Sequence, residues 1–363
     1  MSTLQGDVAD FMLRLLGVSL GVTALMLLIT VTVIVRIVIR PIGIVAEEAE
    51  RFVENDAEIS SKLGSIHTRD EIQLLSGSIL KMETDIRDYI ENLTKVTAEK
   101  ERIGAELNVA TQIQADMLPS IFPAFPEREE FDIYASMRPA KEVGGDFYDF
   151  FLVDDDHLAM VMADVSGKGV PAALFMVIAK TLIKNRAQMG GSPKEVLSYV
   201  NNQLCEGNEA ELFVTVWLAI LDLNTGEGVA ANAGHEHPVI RRAGGQYELV
   251  VYRHSPAVAT MENIRFREHS FTLCPGDSLY VYTDGVPEAT DAHDELFGTD
   301  RMLSALNEDP DAPADEILRT VTRHIDAFVG EAPQFDDVTM LCLNYFGKRG
   351  TNTNETDENS GKN

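Results

Sequence analysis

The chain has 363 residues, of which 45% are hydrophobic, and its 58 acidic and 30 basic side chains give a formal net charge of −28. This length and apolar fraction predict two or three units with a buried core. The acidity excludes nonspecific binding to nucleic acid, which needs a cationic surface. The cysteines, Cys205, Cys274 and Cys342, are odd in number and widely spaced, which is typical of a reduced cytoplasmic domain rather than a disulfide framework or a zinc site.

The N-terminal part contains a run long enough to cross a membrane. No charged residue occurs in the run 15–35, and a bilayer core of about 30 Å requires about 20 such residues. We therefore predict a short N-terminal segment, 1–14, and a transmembrane helix, 15–37. Arg36 and Arg40 follow the run, which predicts a single-pass protein of the cell membrane with a cytoplasmic C-terminal part. A cleaved signal peptide is the alternative, but its apolar region usually has only about 7–15 residues.

A long helical pattern follows the membrane segment. From Ile72 to Met117 a single stripe alternates at spacings of three and four, and only Lys100 and Gln114 in it are polar. The stripe consists of Ile72, Leu75, Ile79, Met82, Ile86, Tyr89, Leu93, Val96, Lys100, Ile103, Leu107, Ala110, Gln114 and Met117. This repeat predicts a left-handed coiled coil and a parallel homodimer. A helix packed along the core of one domain is the alternative, but the narrow stripe and its charged flanks favour the coiled coil.

The segment between the membrane helix and this stripe resembles a HAMP domain, a dimeric signal-relay module of bacterial receptors. The matching features are Arg40-Pro41, two short amphipathic helices and Asp70-Glu71-Ile72, which opens the second helix. Gln73 stands where the family usually has glycine. The resemblance implies a HAMP domain over 40–94, and a coiled-coil linker follows over 95–118.

A region of mixed strands and helices follows the stalk, which Pro119 ends because proline cannot continue a helix interior. Apolar runs predict strands at Phe131–Met137, His157–Ala163, Phe213–Leu221, Val229–Ala231, Ser278–Thr283 and Val338–Asn344. Helices are predicted at Pro171–Arg186, Pro193–Cys205 and Ala314–Phe328. Hairpin-linked strands with paired helices predict an α+β layered domain over 119–346 rather than a doubly wound parallel sheet. The polar residues 347–363 predict a disordered tail.

Aspartates recur beside glycines at the ends of the predicted strands. They lie in four places: Gly144-Gly145-Asp146, Asp164-Val165-Ser166-Gly167, Asp284-Gly285 and Asp336-Asp337. One Asp-Gly pair alone is most often only a turn. Several carboxylates on rigid strand ends would repel one another unless cations lay between them, and hard oxygen ligands of this kind select Mg²⁺ or Mn²⁺. Together the motifs predict a site where two metal ions activate water and hold a phosphoryl oxygen.

The wording of these motifs is closely similar to that of PPM-type phosphatases in the SpoIIE-like bacterial branch. The matching runs are Ala140–Asp149, Asp164–Gly169, Phe213–Thr215, Asn232–His235, Tyr282–Ala289 and Asp336–Thr339. The resemblance covers residues 105–346 and implies a layered antiparallel β-sandwich flanked by helices. It also implies a metal-dependent phosphoserine or phosphothreonine protein phosphatase, in which metal-activated water attacks phosphorus in line without a phosphoenzyme.

The same resemblance implies which residues hold the metal. The catalytic, metal-ligating carboxylates would be those of Asp146, Asp164, Asp284 and Asp336. Asp164 would lie between two Mn²⁺ or Mg²⁺ ions, and the backbone carbonyl of Val165 would be a further ligand. Asp337 could replace or support Asp336, and the sequence does not separate the two. Arg138 and Lys141 are rival candidates for contacting the substrate phosphate, and the sequence favours neither.

The expected partner is a phosphorylated STAS-type anti-sigma factor antagonist, as the branch resemblance implies, or another phosphoprotein. Two other functions compete with the phosphatase. A HAMP-linked enzyme such as a nucleotide cyclase or histidine kinase would not explain the closing Asp-Asp-Val-Thr motif. A catalytically inactive scaffold that binds a phosphoprotein is disfavoured because all four carboxylate positions are intact. His235-Glu236-His237 lacks the spacing of a zinc helix, and a structural loop is the favoured interpretation.

Overall fold

The computed structural model describes residues 2–54, 57–141 and 143–348. The chain divides into two compact units, Met1–Gly104 and Ala105–Asn363. Nearly all of the predicted tail, 347–363, lies outside the described residues.

The first unit is helical. Its elements are α1 (Ser2–Ile34), a π-helical turn (Val35–Ile39), α2 (Arg40–Glu54), a short 3₁₀ turn (Leu63–Ser65) and the start of α3 (Glu71–Met117). Helical structure from Phe11 to Val53 contains one stretch that is long and apolar enough to cross a membrane, with none of it buried. A signal sequence near the N-terminus can meet the same criterion of length and composition.

A proline explains why the helix widens after α1. In the π-helical turn, the Arg40 backbone N–H donates to the carbonyl oxygen of Val35, five residues earlier. Pro41 has no N–H to donate, and in a regular α-helix its ring would clash with the carbonyl of Ile37. The wider turn removes that clash, as π-bulges commonly do.

The connector between α2 and α3 is packed onto both helices. Val45, Leu63 and Ile66 form a small buried cluster. Ser60 donates from its hydroxyl to a Glu48 carboxylate oxygen at 2.8 Å and from its backbone N–H to Glu83 at 3.0 Å. The polar residues of this connector therefore link the two helices.

Side chains at the start of α3 satisfy backbone N–H groups that have no partner within the helix. Asp70 Oδ1 accepts from the N–H of Ile72 at 3.0 Å and of Gln73 at 3.4 Å. Gln73 in turn accepts from the Arg69 N–H at 2.9 Å. This exchange is typical of a helix N-terminus. It gives a structural role to Gln73, the residue that departs from the HAMP pattern, and the HAMP assignment itself stays a prediction.

The apolar stripe of α3 is largely exposed in a single chain. Exposed fractions are 49% for Leu75, 50% for Met82, 65% for Tyr89 and 66% for Val96. A stripe of this kind is covered in proteins only when another surface packs on it. The single chain therefore leaves the predicted coiled coil untested.

Two five-stranded antiparallel sheets form the second unit. The strands are β1 (Phe131–Arg138), β2 (Phe147–Leu152), β3 (His157–Val165), β4 (Val214–Asp222), β5 (Glu227–Ala233), β6 (Val239–Arg241), β7 (Tyr247–Leu249), β8 (Glu268–Thr272), β9 (Ser278–Tyr282) and β10 (Val338–Tyr345). Sheet A has the order β1-β10-β9-β6-β7, and sheet B has the order β2-β3-β4-β5-β8.

Helices cover the outer face of each sheet. On sheet B lie α4 (Val170–Gln188) and α5 (Pro193–Cys205); beside sheet A lie α6 (Gly298–Leu306) and α7 (Ala314–Val329). Alternate residues of β10 face opposite layers: Leu341 belongs to the core between the sheets, and Cys342 belongs to the core beneath α6 and α7. The predicted layered antiparallel sandwich with flanking helices is confirmed.

The predicted strands and helices of this unit are all present, with ends within two residues of those observed. Four strands and one helix were missed: β2, β6, β7, β8 and α6. β2 is buried along nearly its whole length and therefore lacks the alternation that marks a strand. β6 and β7 have only three residues each, too few for a periodic signal.

A buried ion pair joins α4 to sheet B. The Lys180 ammonium lies 2.5 Å from Asp149 Oδ2 of β2, and both side chains are almost completely enclosed. Lys184 lies farther from the same carboxylate, at 3.8 Å. Asp149, the last residue of the matching run Ala140–Asp149, is thus a packing residue.

Replacing Lys180 by Met should lower the free energy of unfolding by about 3–5 kcal/mol, because the Asp149 carboxylate would stay buried without its close partner. The double variant Lys180→Met/Asp149→Leu should recover most of that loss. Urea unfolding followed by circular dichroism measures both. Lys194→Met, which removes an exposed ion pair with Glu268, is the control and should change stability little. A double variant no more stable than the single one would contradict this account.

Candidate active site

The acidic motifs come together at one edge of the two sheets. Asp146 immediately precedes β2, Asp284 follows β9 after one residue, and Asp336 lies two residues before β10. Asp164 lies within β3, which runs on to Val165, one residue beyond the aspartate at which the sequence predicts its end. The carboxylates are close enough that each shifts the pKa of another.

Asp146 is the most deeply enclosed of these carboxylates, with 2% of the residue exposed. Its Oδ2 accepts hydrogen bonds from the hydroxyls of Thr283 at 2.7 Å and Thr339 at 2.6 Å. Burial, and next the charge of Asp164, raise the pKa of Asp146 well above its usual value. Two threonines from sheet A therefore hold a carboxylate that leads into sheet B.

The neighbouring carboxylates are also crowded by negative charge. Burial and the charge of Asp284 raise the pKa of Asp164 to about 7. Burial, followed by the charges of Glu288 and Asp336, raises the pKa of Asp284 to about 6. A group of buried carboxylates with raised pKa values is typical of a functional site that a cation completes.

Asp337 is engaged by the protein backbone. Its Oδ1 accepts from the Ala140 N–H at 2.8 Å, and its Oδ2 accepts from the N–H groups of Gly145 at 2.9 Å and Asp146 at 3.4 Å. Its backbone carbonyl oxygen would lie only 1.9 Å from a Cβ at Gly285, so only glycine fits there. Asp337 thus fixes the turn that carries Asp146.

Asp336 instead faces a basic side chain. Its Oδ2 lies 2.9 Å from the Lys168 ammonium, which also donates to the Phe335 carbonyl at 2.7 Å and lies 4.1 Å from the Phe335 ring centroid. Lys168 also opposes the rise in the pKa of Asp284. The sequence-based interpretation missed this lysine, although it lies in the Asp164–Gly169 motif.

The remaining predicted residues lie around this cluster. The Val165 carbonyl oxygen lies 2.8 Å from the position that a Cβ on Gly145 would take, so it packs directly on the Asp337-bound turn. Arg138 pairs with Asp326 at 2.7 Å and lines a cavity of about 290 Å³ that Asp336 also lines. Lys141 is exposed.

These residues fit divalent cations by chemistry and charge. The donors are oxygens, and burial together with their mutual repulsion raises the pKa values of Asp164 and Asp284, with Lys168 opposing part of that rise at Asp284. Among residues 2–54, 57–141 and 143–348, no three His, Cys, Asp or Glu side chains form a closed set able to hold an ion. The carboxylates therefore lie within electrostatic range of one another, but no three of the described ones are as close together as the ligands of a single bound ion.

A buried histidine lies behind the cluster. His235 Nδ1 is 2.8 Å from the hydroxyl of Thr215, the residue paired with Asp164 across β3 and β4. The Asn232 side chain holds the same loop through the His235 backbone N–H, at 2.8 Å, and carbonyl oxygen, at 3.0 Å. Complete burial lowers the pKa of His235 to about 3, against a hydrogen bond to the Tyr282 backbone. The histidine is therefore neutral at physiological pH.

The antiparallel sandwich, its flanking helices and this acidic edge define a PP2C-like fold. Among solved structures, the SiaA-PP2C domain of Pseudomonas aeruginosa matches with a TM-score of 0.61 at 24% identity, covering 68% of this chain and 99% of that domain. The chain belongs to the SpoIIE family, because the model of stage II sporulation protein E matches residues 154–346. The family predicted from the motifs is thereby confirmed.

Two relatives extend the likeness beyond the matched region. Protein IcfG of Synechocystis sp. (strain ATCC 27184 / PCC 6803 / Kazusa) is 29% identical over 330 residues, which are 84% of this chain and 51% of IcfG. Phosphoserine phosphatase RsbU of Bacillus subtilis (strain 168) is 25% identical over 244 residues, which are 67% of this chain and 71% of RsbU. The chain therefore spans about half the length of the first relative.

Replacing His235 by Asn should make the protein less sensitive to acid. The unfolded chain takes up a proton near pH 6.5 and the folded protein only near pH 3, so His235 lowers stability as pH falls through that window. At pH 5.5 the cost is about 1.4 kcal/mol, and the variant should not show it. Urea unfolding at pH 7.5 and pH 5.5 measures the difference. The control His293→Asn alters an exposed histidine, and an equal pH response in both variants would contradict the assignment.

Proposed function

We propose that the protein is a membrane-anchored, metal-dependent phosphatase that acts on phosphoserine or phosphothreonine of a partner protein. The observation that carries this proposal is the cluster of Asp146, Asp164, Asp284 and Asp336, whose repulsion calls for cations. Membership of the SpoIIE family supports it, and so does the likeness to a relative named as a phosphoserine phosphatase.

The four carboxylates would hold two Mn²⁺ or Mg²⁺ ions, with the Val165 carbonyl as a further ligand. When bound, such ions supply Lewis acidity and an activated water for attack on phosphorus. Asp336 is assigned as a ligand in preference to Asp337, because backbone N–H groups already occupy both oxygens of Asp337. Asp337 would instead position the turn that bears Asp146.

The residues around the carboxylates have separate tasks in this proposal. Thr283 and Thr339 orient Asp146 by donating to one of its oxygens, which leaves the other oxygen for a cation. Lys168 balances part of the charge at Asp336 and Asp284. Preorganised groups of this kind lower the cost of reorganisation during the reaction.

The substrate of this phosphatase is proposed to be a phosphorylated STAS-type anti-sigma factor antagonist. The support is the motif resemblance, which implies this substrate, together with the similarity to RsbU, which is named as a phosphoserine phosphatase. Removal of the phosphate would change which protein the antagonist binds. A different phosphoprotein would need the same chemistry at the site.

Anchoring and dimer formation complete the proposed function. The apolar stretch within Phe11–Val53 would cross the cell membrane once, leaving the second unit in the cytoplasm. The exposed stripe of α3 would pair with the same stripe of a second, parallel chain. A change at the membrane could then reach the phosphatase unit as a change in helix pairing.

The detergent-solubilised full chain should hydrolyse p-nitrophenyl phosphate with Mn²⁺ and lose this activity when a chelator is added. Asp164→Asn and Asp336→Asn should each lower kcat by about 100-fold or more, because each removes charge that holds a cation. Asp336→Asn should also weaken Mn²⁺ binding in calorimetry without lowering the melting temperature of the chelated protein.

Asp337→Asn is the matched control, since it changes the adjacent carboxylate. It should lower the melting temperature, because an amide cannot accept hydrogen bonds at both of its terminal atoms. If Asp337→Asn abolished Mn²⁺ binding and Asp336→Asn did not, the two roles would be reversed. No hydrolysis of p-nitrophenyl phosphate or of a phosphorylated STAS protein by the full chain would favour the inactive scaffold.

Inserting four helix-forming residues after Lys100 should change the phosphatase rate severalfold. The insertion shifts the apolar stripe out of its seven-residue repeat, so the paired helices must unwind locally or repack. An insertion of seven residues lengthens the helix even more but keeps the seven-residue repeat, and it should leave the rate unchanged. Sedimentation of the solubilised chains would show dimers for the parent. Equal rates for all three proteins would rule out control through this stripe.

A further inference from the structure

An open cationic cleft lies in the second unit, outside the carboxylate cluster. It has a volume of about 550 Å³, and its walls include Arg253, Arg265, Arg267, His237 and His254. All three arginines are exposed. Such a concentration of basic groups is notable in a chain with a net charge of −28.

These arginines differ from the others in the second unit. Seven other described arginines there form ion pairs with carboxylates: Arg128, Arg138, Arg241, Arg242, Arg301, Arg319 and Arg323. Arg186 donates to the Gly190 carbonyl and lies over the Tyr199 ring. Within the described residues, the guanidinium groups of Arg253, Arg265 and Arg267 have no carboxylate partner. The unpaired arginines of this unit therefore gather in one place.

The loop that carries these arginines, between β7 and β8, is anchored to the sheet. The Ser255 N–H donates to the Asn232 carbonyl at 2.8 Å, and the Arg267 N–H donates to the Ser255 hydroxyl at 2.9 Å. Val258 and Val214 exchange backbone hydrogen bonds at 2.9 and 3.0 Å. The basic groups are thus borne by a fixed backbone, which reduces the entropy lost when a ligand binds.

Aromatic packing fixes the floor of the cleft. The Tyr252 hydroxyl accepts from Trp217 Nε1 at 3.0 Å, and its ring stacks on His269 with centroids 4.1 Å apart. The His237 ring meets the edge of Tyr252 at 5.3 Å, and its Nδ1 is buried without a hydrogen-bond partner in the described structure. The imidazole therefore still has an unused polar atom at the wall of the cleft.

One loop, which includes the cleft residue His237, lies within electrostatic range of Asp284. Glu236 lies in that loop, and its carbonyl accepts from the Asn232 side chain at 3.0 Å. Burial and the charge of Asp284 raise the pKa of Glu236, and His254 opposes that rise. Glu236 is therefore within electrostatic range of both the cluster and the cleft.

We propose that this cleft binds acidic side chains that flank the phosphorylated residue of the protein substrate, an inference that rests on the proposed phosphatase function. The exposed guanidinium groups can each form two parallel hydrogen bonds with a carboxylate. Elsewhere the acidic surface of this chain repels an acidic partner, so a local basic site fixes where and in which orientation the partner docks.

The test compares two triple variants of the full chain. Arg253→Gln/Arg265→Gln/Arg267→Gln removes the cleft charges. Arg301→Gln/Arg319→Gln/Arg323→Gln removes the same charge from arginines that are exposed and paired elsewhere. Two labelled phosphoserine peptides are used, one with flanking Asp and Glu and one with Asn and Gln at those positions. Fluorescence anisotropy with chelator present measures binding without turnover.

The cleft triple should bind the acidic peptide roughly 10-fold or more weakly at low salt, and the control triple should change this Kd less than about 3-fold. The neutral peptide should bind both variants equally. With Mn²⁺ present, the cleft triple should show a raised KM for the acidic peptide, an unchanged kcat and normal hydrolysis of p-nitrophenyl phosphate.

Equal weakening by the two triple variants, or equal affinity of the parent for the two peptides, would overturn the proposal. The result also separates the cleft from the phosphatase function. If the full chain hydrolyses p-nitrophenyl phosphate but the cleft triple binds the acidic peptide normally, only the cleft proposal fails. If nothing is hydrolysed but binding of the acidic peptide depends on the cleft, the phosphatase fails and the cleft remains.

Discussion

The hydrogen bonds of Asp337 are the constraint on which the arrangement of the acidic cluster in the second unit depends. This residue precedes β10 of sheet A, and its carboxylate accepts from Ala140 and Gly145, which lead into β2 of sheet B. It therefore joins the sheets at the edge where the functional carboxylates meet. The Asp337 carbonyl also packs closely on Gly285, which brings the end of β9, with Asp284, to the same edge. These contacts of Asp337 fix the positions of Asp146 and Asp284 relative to each other.

The gathering of the four aspartate motifs at one edge was predictable from the sequence, whereas the different contacts of Asp336 and Asp337 were not. The four carboxylate motifs are local patterns, and each aspartate stands beside the glycine or strand that marks it. Asp336 and Asp337 are adjacent and identical, and what separates them is a set of contacts to residues 192 and 197 positions away. Lys168 was missed for the same reason, since its partner Asp336 is brought near only by the fold. Strands with clear apolar runs were found, but the buried β2 and the three-residue β6 and β7 gave no periodic signal.

Two regions of the second unit differ in charge from the rest of this acidic chain. The chain is strongly acidic overall, and its second unit pairs most of its described arginines with carboxylates. Two places break that balance in opposite directions. In the carboxylate cluster, burial and mutual repulsion raise the pKa values of Asp146, Asp164 and Asp284. In the cleft, Arg253, Arg265 and Arg267 have no carboxylate partner among the described residues. The proposed substrate, a phosphorylated protein segment with acidic flanks, would complement both regions, with cations receiving its phosphate and arginines its carboxylates. The loop around Glu236 lies between these regions.

In the first unit, the π-helical turn at Val35–Ile39 affects how the chain would respond to the deletion of one residue. A π turn contains one residue more than the α turn that would replace it, and one residue corresponds to a rotation of about 100° around the axis. Deleting one residue there would convert the π turn to an α turn without rotating α2 relative to α1, but the ring of Pro41 would then clash with the carbonyl one turn before it. The turn therefore lets the number of residues in this helical run differ by one while α2 keeps the same angular phase relative to α1.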